Sequence, residues 1–400
     1  MKVLILDDET KRALIWKKDL DSIVQGEVVV YRPDQVSELI SELHKARLNA
    51  RIEGSNYQPV ESLNGFDLMI IDYDLLGLEV GKSAAWATGA ELAYSMRLMS
   101  TVGPIVVVNQ FGTNSYDLTM RRGVSSYADV DVGSAQITSP GLWRSDKFEG
   151  FRPWGWPDLH KEVERFSLIQ GFVLENLDHP VMSALGFELE NAESTSFISY
   201  ELAAFLGAGP RNKGITFRDV VIKNAGLRVF NILEKDHDIL EKLPDDQIAR
   251  ICTAILTHWL EKVVLPAQEV IADAPHLCSQ LPWAIKEPSN LENWMNVCSL
   301  RAEAVPEMLS RYRVEPHFLF SRPVFWAENA RREIPIPEGF QFSDLPAIQF
   351  CENLSVFSQE ADSSSFPSDV IAFDKKRWIR SDDKSGASNV NYEPQSYLLM

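Results

Sequence analysis

The sequence predicts an α/β fold, in which a doubly wound parallel sheet of five strands is followed by a mainly α-helical domain with an irregular C-terminal extension. Short apolar runs alternate with helical patterns over the first third of the 400 residues, which indicates parallel strands joined by helices. These runs are apolar almost throughout, as expected for strands that are buried on both faces. Two of the runs end in acidic residues, at the sheet edge where ligands bind in this class of fold.

Each element of the predicted sheet follows from a local pattern. The strands are placed on the apolar runs at residues 2–6, 27–31, 67–71 and 104–108 and on a weaker run at 124–128. Helical periodicity between the runs predicts helices at about 10–20, 34–48 and 88–99. Asp34 and Thr88 stand at the start of the second and third helices, where their side chains can accept a hydrogen bond from the first turn, so we expect both to be N-caps.

The pattern changes after the predicted sheet, which occupies a domain at residues 1–135. A stretch rich in glycine, tryptophan and proline predicts a linker at 136–157. A helical domain is expected at 158–313, with helices at 158–176, 199–206, 216–233, 245–264 and 291–312. Recurrent prolines predict an irregular extension at 314–380 that packs on the helical domain, and a polar composition predicts a flexible tail at 381–400.

Composition limits the classes of function that fit the chain. The 57 acidic and 39 basic residues give a net charge of −18, which argues against nucleic acid as a partner because phosphate backbones require a basic surface. No apolar run approaches the length of a membrane span, so no membrane role is expected. The four cysteines are widely spaced without a CxxC pair, which predicts a reducing, cytoplasmic setting.

The acidic residues at the strand ends are the main candidate functional residues. Asp7 and Asp8 follow the first strand, and Asp72 follows the third. Carboxylates that meet at the carboxyl edge of a sheet form an oxygen-rich pocket suited to Mg²⁺, which binds one or two carboxylates together with waters and phosphate oxygens. The remaining carboxylate can then act as a nucleophile toward a phosphoryl group. The trio therefore predicts regulation based on phosphoryl transfer.

Five motifs occur in order along residues 1–135: KVLILDDE, DLMIIDYDLLG, TGAELAYSMR, PIVVVNQFG and RRGVSSYADV. Together they resemble the receiver domain of two-component response regulators. The resemblance implies a flavodoxin-like five-stranded sheet, a metal-binding pair at Asp7 and Asp8, and a phospho-accepting aspartate at Asp72. It also implies that these three residues hold Mg²⁺ and that the partner is a histidine kinase or another signalling protein.

The chain departs from this family at two positions of the site. The family's Thr or Ser at the end of strand four falls on Asn109, which would face the phosphoryl group with an amide instead of a hydroxyl. The family's lysine falls on Val130, which cannot supply the positive charge, although Lys82 or Arg121 could replace it. The receiver-like domain thus either accepts a phosphoryl group on Asp72 or serves as a degenerate docking or dimerisation module.

A rival interpretation places a metal-dependent hydrolase, or another enzyme, in the helical domain. Glu234 with His237, and His258 with Glu261, are spaced so that both members of each pair lie on one face of a helix, as in metal sites of helical bundles. A solvated helix face and a partly buried histidine explain the same residues without a metal. The favoured interpretation is therefore an atypical signalling or adaptor protein, able to form a homodimer, rather than an enzyme.

A proline-bounded turn is predicted at residues 273–277. Asp273 and His276, with Cys278 beside them, are residue types that also occur in nucleophilic catalysis. No nucleophile-elbow motif accompanies them. We therefore expect these residues to form a structural turn.

Overall fold

The computed structural model describes residues 1–53, 58–75, 77–78, 88–109, 128–134, 136–143, 150–187, 214–222, 237–299, 304–365 and 377–380. These residues form two compact units. The first unit comprises the described residues of Met1–Thr113, Val124–Trp143 and Leu159–His258, and the second those of Arg144–Asp158 and Trp259–Met400. This grouping differs from the sequence-based one, which places 158–313 in a domain of its own. The predicted tail at 381–400 and the predicted helix at 199–206 lie outside the described residues.

The first unit contains the predicted parallel sheet. Its strands are β1 (Lys2–Leu6), β2 (Glu27–Tyr31), β3 (Leu68–Asp72), β4 (Ile105–Asn109) and β5 (Val130–Gly133). All neighbouring pairs are parallel, and the strand order is β2-β1-β3-β4-β5. The predicted doubly wound fold class is therefore confirmed. The fifth strand begins later than the weak apolar run at 124–128 had indicated.

The helices of the first unit lie between and after these strands. They are α1 (Thr10–Leu20), α2 (Pro33–Glu53), α3 (Gly89–Met99), α4 (Pro140–Trp143), α5 (Leu159–Glu175), α6 (Val181–Ala184), α7 (Phe217–Ile222), α8 (His237–Leu240) and α9 (Asp245–His258). Thr88 caps α3 as predicted, since its side chain accepts a hydrogen bond from the backbone N–H of Glu91. Asp34 lies inside the first turn of α2, because that helix already begins at Pro33. None of the helices in the described part of the chain has both the length and the apolar character that crossing a membrane requires.

The core of the first unit is centred on β1, β3 and β4. Every residue of β3 is buried, and so is every residue of β1 after Lys2. Successive side chains of a strand point to opposite faces, so complete burial means that both faces of the sheet are covered. Each fully buried Leu, Ile or Val contributes about 1.5–3 kcal/mol relative to an exposed one. The sheet edge is therefore a rigid base for the residues that follow β1 and β3.

The second unit begins with a change of helix type. The predicted helix at 245–264 continues beyond α9 as a π-helix at Trp259–Val264. The remaining helices are α10 (Ala274–Gln280), α11 (Leu291–Val297) and α12 (Ala327–Glu333). The predicted helix at 291–312 is interrupted, because α11 ends at Val297 and Glu307–Tyr312 forms a 3-10 helix.

Two small sheets complete the second unit. The first pairs β6 (Ile271–Asp273) with β7 (Val324–Trp326) in antiparallel register. The second has the order β10-β11-β8-β9, with β8 (Ile348–Cys351), β9 (Val356–Gln359), β10 (Ser363–Ser365) and β11 (Trp378–Arg380). The described residues of the segment at 314–380 thus form regular strands and α12 in addition to irregular stretches. The predicted linker at 136–157 is shared, since Trp143 is buried in the first unit and Trp154 and Trp156 are buried in the second.

Gln247 of α9 joins two helices of the first unit. Its Nε2 atom donates to the backbone carbonyls of Arg97, Leu98 and Ser100, at 2.8, 3.2 and 3.3 Å respectively. The last carbonyls of a helix have no partner within that helix. The buried Gln247 amide therefore satisfies the C-terminal end of α3.

We expect Gln247→Ala to lower the free energy of unfolding by about 1–3 kcal/mol, because buried carbonyls lose their hydrogen-bond donor. Gln170→Ala is the matched control, since Gln170 donates its amide hydrogen bond to Asp246 at the surface. The control should change the free energy by less than about 0.5 kcal/mol. Urea denaturation measures both variants. Equal losses in the two would contradict the role assigned to Gln247.

Candidate functional site

The structure brings the three strand-end carboxylates together at the carboxyl edge of the sheet. Asp7 and Asp8 directly follow β1, and Asp72 is the last residue of β3. These strands are parallel neighbours, with Leu6 opposite Ile71, so their acidic ends meet. One oxygen from each of the three carboxylates lies within 4.8 Å of the others. The side chains of Asp7 and Asp72 are fully buried, whereas that of Asp8 is 11% exposed.

Arg12 places a positive charge among these carboxylates. Its Nη2 atom is 2.8 Å from Asp7 Oδ1 and 2.6 Å from Asp72 Oδ2, and Asp8 Oδ1 lies 3.3 Å away. The Nε atom of Arg12 donates a further hydrogen bond to Asp7 Oδ2 at 2.8 Å, so the contact with Asp7 is bidentate. Arg12 lies in the first turn of α1, four residues after Asp8. The first turn of α1 therefore supplies the positively charged side chain of the site.

The charges of these four groups do not cancel, because one guanidinium faces three carboxylates. Burial would lower the pKa of Arg12, but the hydrogen bond and the negative charge of Asp7 outweigh it and raise that pKa above its ordinary value. Arg12 therefore stays protonated. Burial raises the pKa of Asp8, and it outweighs the backbone hydrogen bond from Gly77, which lowers that pKa. Burial therefore penalises the ionised form of Asp8.

Backbone groups complete the hydrogen bonds of the site. The N–H of Glu9 donates to Asp7 Oδ1 at 2.6 Å, and the N–H of Gly77 donates to Asp8 Oδ2 at 2.7 Å. A Cβ atom on Gly77 would overlap Asp8 Oδ2, so this close approach requires glycine. A Cβ atom on Gly89 would likewise overlap the backbone oxygen of Asp72. The two glycines allow the chain to pass close to the acidic residues.

The donor chemistry of the site fits Mg²⁺, the cation that the family resemblance implies. Mg²⁺ prefers carboxylate oxygens, and the oxygens of Asp7, Asp8 and Asp72 converge closely enough to share one ion. Arg12 contacts the same three carboxylates, through both oxygens of Asp7, Oδ1 of Asp8 and Oδ2 of Asp72. A metal ion bound by these oxygens would compete with the guanidinium for them.

The other predicted members of this site lie as follows. Asn109 ends β4, the strand next to that of Asp72. Val130 does not lie at this edge: it begins β5 opposite Val106, and the strand end opposite Asn109 is Gly133. Val130 lies at the start of β5 because the fifth strand begins later than its weak apolar run indicated, and the assignment of the family's lysine position to Val130 stays a prediction. Lys82 and Arg121 lie outside the described residues.

Sequence reasoning missed Arg12. The available signal was its spacing, since a basic residue four positions after Asp8 lies one helical turn further on. The predicted start of the helix at residue 10 placed Arg12 in the first turn. The position of Arg12 in the first turn does not by itself determine whether its side chain faces the carboxyl edge of the sheet.

The residues of the alternative metal site are only partly described, so this site stays a prediction. Glu234 is outside the described residues, as is the side chain of His237. His258 ends α9 in the first unit, whereas Glu261 belongs to the π-helix of the second unit. The Glu261 carboxylate accepts a hydrogen bond from the backbone N–H of Ser321 at 2.5 Å. Among the residues that the structure describes, Asp7, Asp8 and Asp72 are the one group whose spacing suits a metal ion.

A second group of ionisable residues lies within the second unit, around His276. Its Nδ1 atom is 2.6 Å from Asp273 Oδ1, and its Nε2 atom is 2.8 Å from Glu352 Oε1. Because ionised carboxylates only accept hydrogen bonds, both ring nitrogens donate and the imidazole is positively charged. Asp273 also caps α10 by accepting from the backbone N–H of His276, so the predicted turn is a helix start. Arg377 Nη1 lies 3.2 Å from Glu352 Oε2 and extends the network.

Electrostatics determine the protonation of this network. Burial would lower the pKa of His276, but the charges and hydrogen bonds of Asp273 and Glu352 outweigh it and raise that pKa to about 9. Burial would raise the pKa of Asp273, but the positive charge and hydrogen bond of His276 lower it to about 2. The two residues therefore remain an ion pair across the physiological range. Neither ring nitrogen of His276 is available as a general base in this state.

The Arg12 contacts generate a prediction about stability. We expect Arg12→Ala to lower the free energy of unfolding by about 3–5 kcal/mol at neutral pH, because buried carboxylates lose their cation. The loss should shrink as the pH falls, because protonation of the unpaired carboxylates removes their mutual repulsion. Arg32→Ala is the control and should leave stability nearly unchanged, since Arg32 and its partner Asp34 are exposed. Denaturant unfolding at several pH values measures both, and a loss independent of pH would contradict this account.

The His276 network generates a prediction about pH. The folded protein holds the proton more tightly than the unfolded chain, in which a histidine has a pKa near 6.5. The stabilisation is therefore fully present below pH 6.5 and is lost as the pH rises through about 9. It amounts to about 3 kcal/mol.

We expect the stability difference between the wild type and His276→Gln to shrink by this amount between neutral and alkaline pH. His317→Gln is the matched control, because His317 is largely exposed and should give no such trend. Denaturant unfolding across the pH range measures the three proteins. A difference that stays constant with pH would show that His276 is neutral in the folded state.

Comparison with known proteins adds no family to these observations. No model of a protein family, no curated protein and no solved structure matches the chain. The fold class therefore rests on the strand order and the parallel pairing, and the chemistry of the site rests on the residues and distances given above.

Proposed function

We propose that this chain is an atypical signalling or adaptor protein of the response-regulator type, in which the first unit works as a docking module. The observation that carries the proposal is the acidic cluster bridged by Arg12 at the carboxyl edge of the sheet. The strand order β2-β1-β3-β4-β5 reverses its direction between β1 and β3. Ligand sites of doubly wound sheets lie at this switch point, and Asp7, Asp8 and Asp72 occupy it.

The state of Asp72 supports docking over phosphoryl transfer. Its side chain is fully buried, and its Oδ2 atom accepts a hydrogen bond from Arg12 at 2.6 Å. A carboxylate that attacks a phosphoryl group needs a free oxygen and a neighbouring cation for the transferred charge. β5 ends in Gly133, which supplies no cation at the position opposite Asn109. A pocket whose carboxylates are already held by the chain's own arginine is suited to a fixed surface.

The partner that this proposal implies is a protein. The receiver resemblance favours a histidine kinase or another signalling protein, and a second copy of the chain is the alternative. The net charge of −18 disfavours nucleic acid. A reducing, cytoplasmic setting belongs to the same proposal.

The convergence of three carboxylates favours a second candidate function, in which Asp72 accepts a phosphoryl group. Asp7, Asp8 and Asp72 would hold Mg²⁺, since their oxygens lie within 4.8 Å of one another and only one guanidinium offsets them. Bound Mg²⁺ would neutralise negative charge on the phosphoryl oxygens. Asn109 would lie beside the site and present an amide to those oxygens. This function requires Arg12 to leave its present position.

Beryllofluoride with Mg²⁺, which imitates a phosphoryl group on a carboxylate, distinguishes the two functions. The docking proposal predicts that the melting temperature and the oligomeric state of the wild type do not respond to this mixture. Arg12→Ala should gain a melting-temperature increase with Mg²⁺ alone, because the three carboxylates then lack their competing cation. Arg32→Ala serves as the control and should behave like the wild type.

A wild-type response that disappears in Asp72→Asn would replace the docking proposal by the phosphorylation switch. Metal analysis of the purified protein tests the enzyme interpretation in parallel. A tightly bound transition metal that is lost in His237→Ala would contradict both signalling functions and would support a metal-dependent hydrolase.

A further inference from the structure

The second unit contains a small cavity beside the His276 network. Its walls are largely apolar and aromatic, and its charged lining residues are Arg152, Arg322 and Asp273. The cavity volume is about 30 Å³, whereas one water molecule needs roughly 10–15 Å³. It therefore has room for about two water molecules or for one group of the size of a carboxylate.

Several cations lie in and beside this cavity. Among the described residues, Asp273 and Glu352 form ion pairs with the doubly protonated His276, Arg322 and Arg377. The guanidinium groups are nearly as buried as the carboxylates, so solvent screens them little. Arg152 also lines the cavity. An anion in the cavity would therefore meet positive charge that water screens little.

Arg322 is held by one hydrogen bond, from its Nη2 atom to Ser321 Oγ at 3.4 Å. Its Nη1 atom is 3.9 Å from Asp273 Oδ2, which is too long for a hydrogen bond, and its buried Nε atom has no hydrogen-bond partner in the described part of the chain. Asp273 is already engaged, because Oδ1 accepts from His276 and Oδ2 accepts from the Trp154 indole. The Arg322 guanidinium stacks over the Trp154 ring, 5.2 Å from its centroid, which holds it in place. A buried donor without a partner at a cavity wall points to an absent acceptor.

We propose that this cavity binds a carboxylate group, with Arg322 as its principal ligand and Arg152 as a second positive charge. A planar guanidinium matches a carboxylate in shape and can donate two parallel hydrogen bonds to it. Aromatic and proline side chains line the rest of the cavity and strengthen the contact by excluding water. The carboxylate belongs either to a small free acid or to the end of a larger molecule. The proposal is independent of the first unit, because every residue involved belongs to the second.

Thermal unfolding of the full chain in increasing sodium formate, at ionic strength held constant with sodium chloride, tests this proposal. The melting temperature of the wild type should rise saturably, by about 3 °C at ten times the half-saturating concentration. Arg322→Gln should lose this rise, because glutamine lacks the charge and the forked donors. Arg332→Gln is the matched control and should retain it, since Arg332 is largely exposed. The same measurement with propionate in place of formate distinguishes the two possible origins of the carboxylate. A larger rise in melting temperature with propionate assigns the site to the end of a larger molecule. A larger rise with formate assigns it to a small free acid.

A second variant keeps the test decisive if Arg322→Gln fails to fold. Cys298→Met places a larger side chain in the cavity without removing any charged residue. It should lose the formate response while it keeps the wild-type circular dichroism spectrum. The proposal is overturned if chloride alone produces the same rise, or if the folded Cys298→Met protein responds as the wild type does.

Discussion

The carboxyl edge of the first sheet concentrates negative charge that the fold has to neutralise. β1 and β3 pair in parallel register, so the residues at the ends of these two strands lie close together. This holds even when those residues carry like charges. Buried carboxylates at such distances repel strongly unless cations or N–H groups face them. The start of α1 supplies Arg12 and the N–H of Glu9, and Gly77 supplies a further N–H. One electrostatic requirement thus fixes the conformation of several segments around the sheet edge.

The sequence patterns located β1 to β4 to within one residue, and physical reasons explain both this success and the failures. These strands are buried on both faces, so their sequences are uninterrupted apolar runs. Such runs can be recognised from the local sequence alone. β5 contains Asp131 and ends in glycine, and it is short, so its apolar signal is weak. The strands of the second unit were not foreseen because they are only three or four residues long and, apart from β8 with β9, pair across longer stretches of chain. β11, for example, pairs with β8, and β10 consists of three serines.

The candidate site was predictable only in part for a related reason. Strand-end position determines where Asp7, Asp8 and Asp72 lie, because a strand points its last residues in a known direction. The placement of Arg12 depends on how α1 packs against the sheet, which is a tertiary property. The network of His276 likewise joins α10 to Glu352 across a long stretch of chain.

Toward a cation that uses the oxygens it contacts, Arg12 would be a tethered competitor. A ligand attached by a short length of chain is present at an effective concentration in the millimolar range or above, however dilute the protein. Such a cation would have to displace this resident ligand, so its apparent affinity would be reduced in proportion to the fraction of molecules in which Arg12 has moved away. Linkage would make the relation reciprocal: a cation that binds would release the arginine of α1, and a partner that engages this arginine would raise the affinity for the cation. A surface contact at the start of α1 would then change the affinity for the cation without touching any of its oxygen ligands.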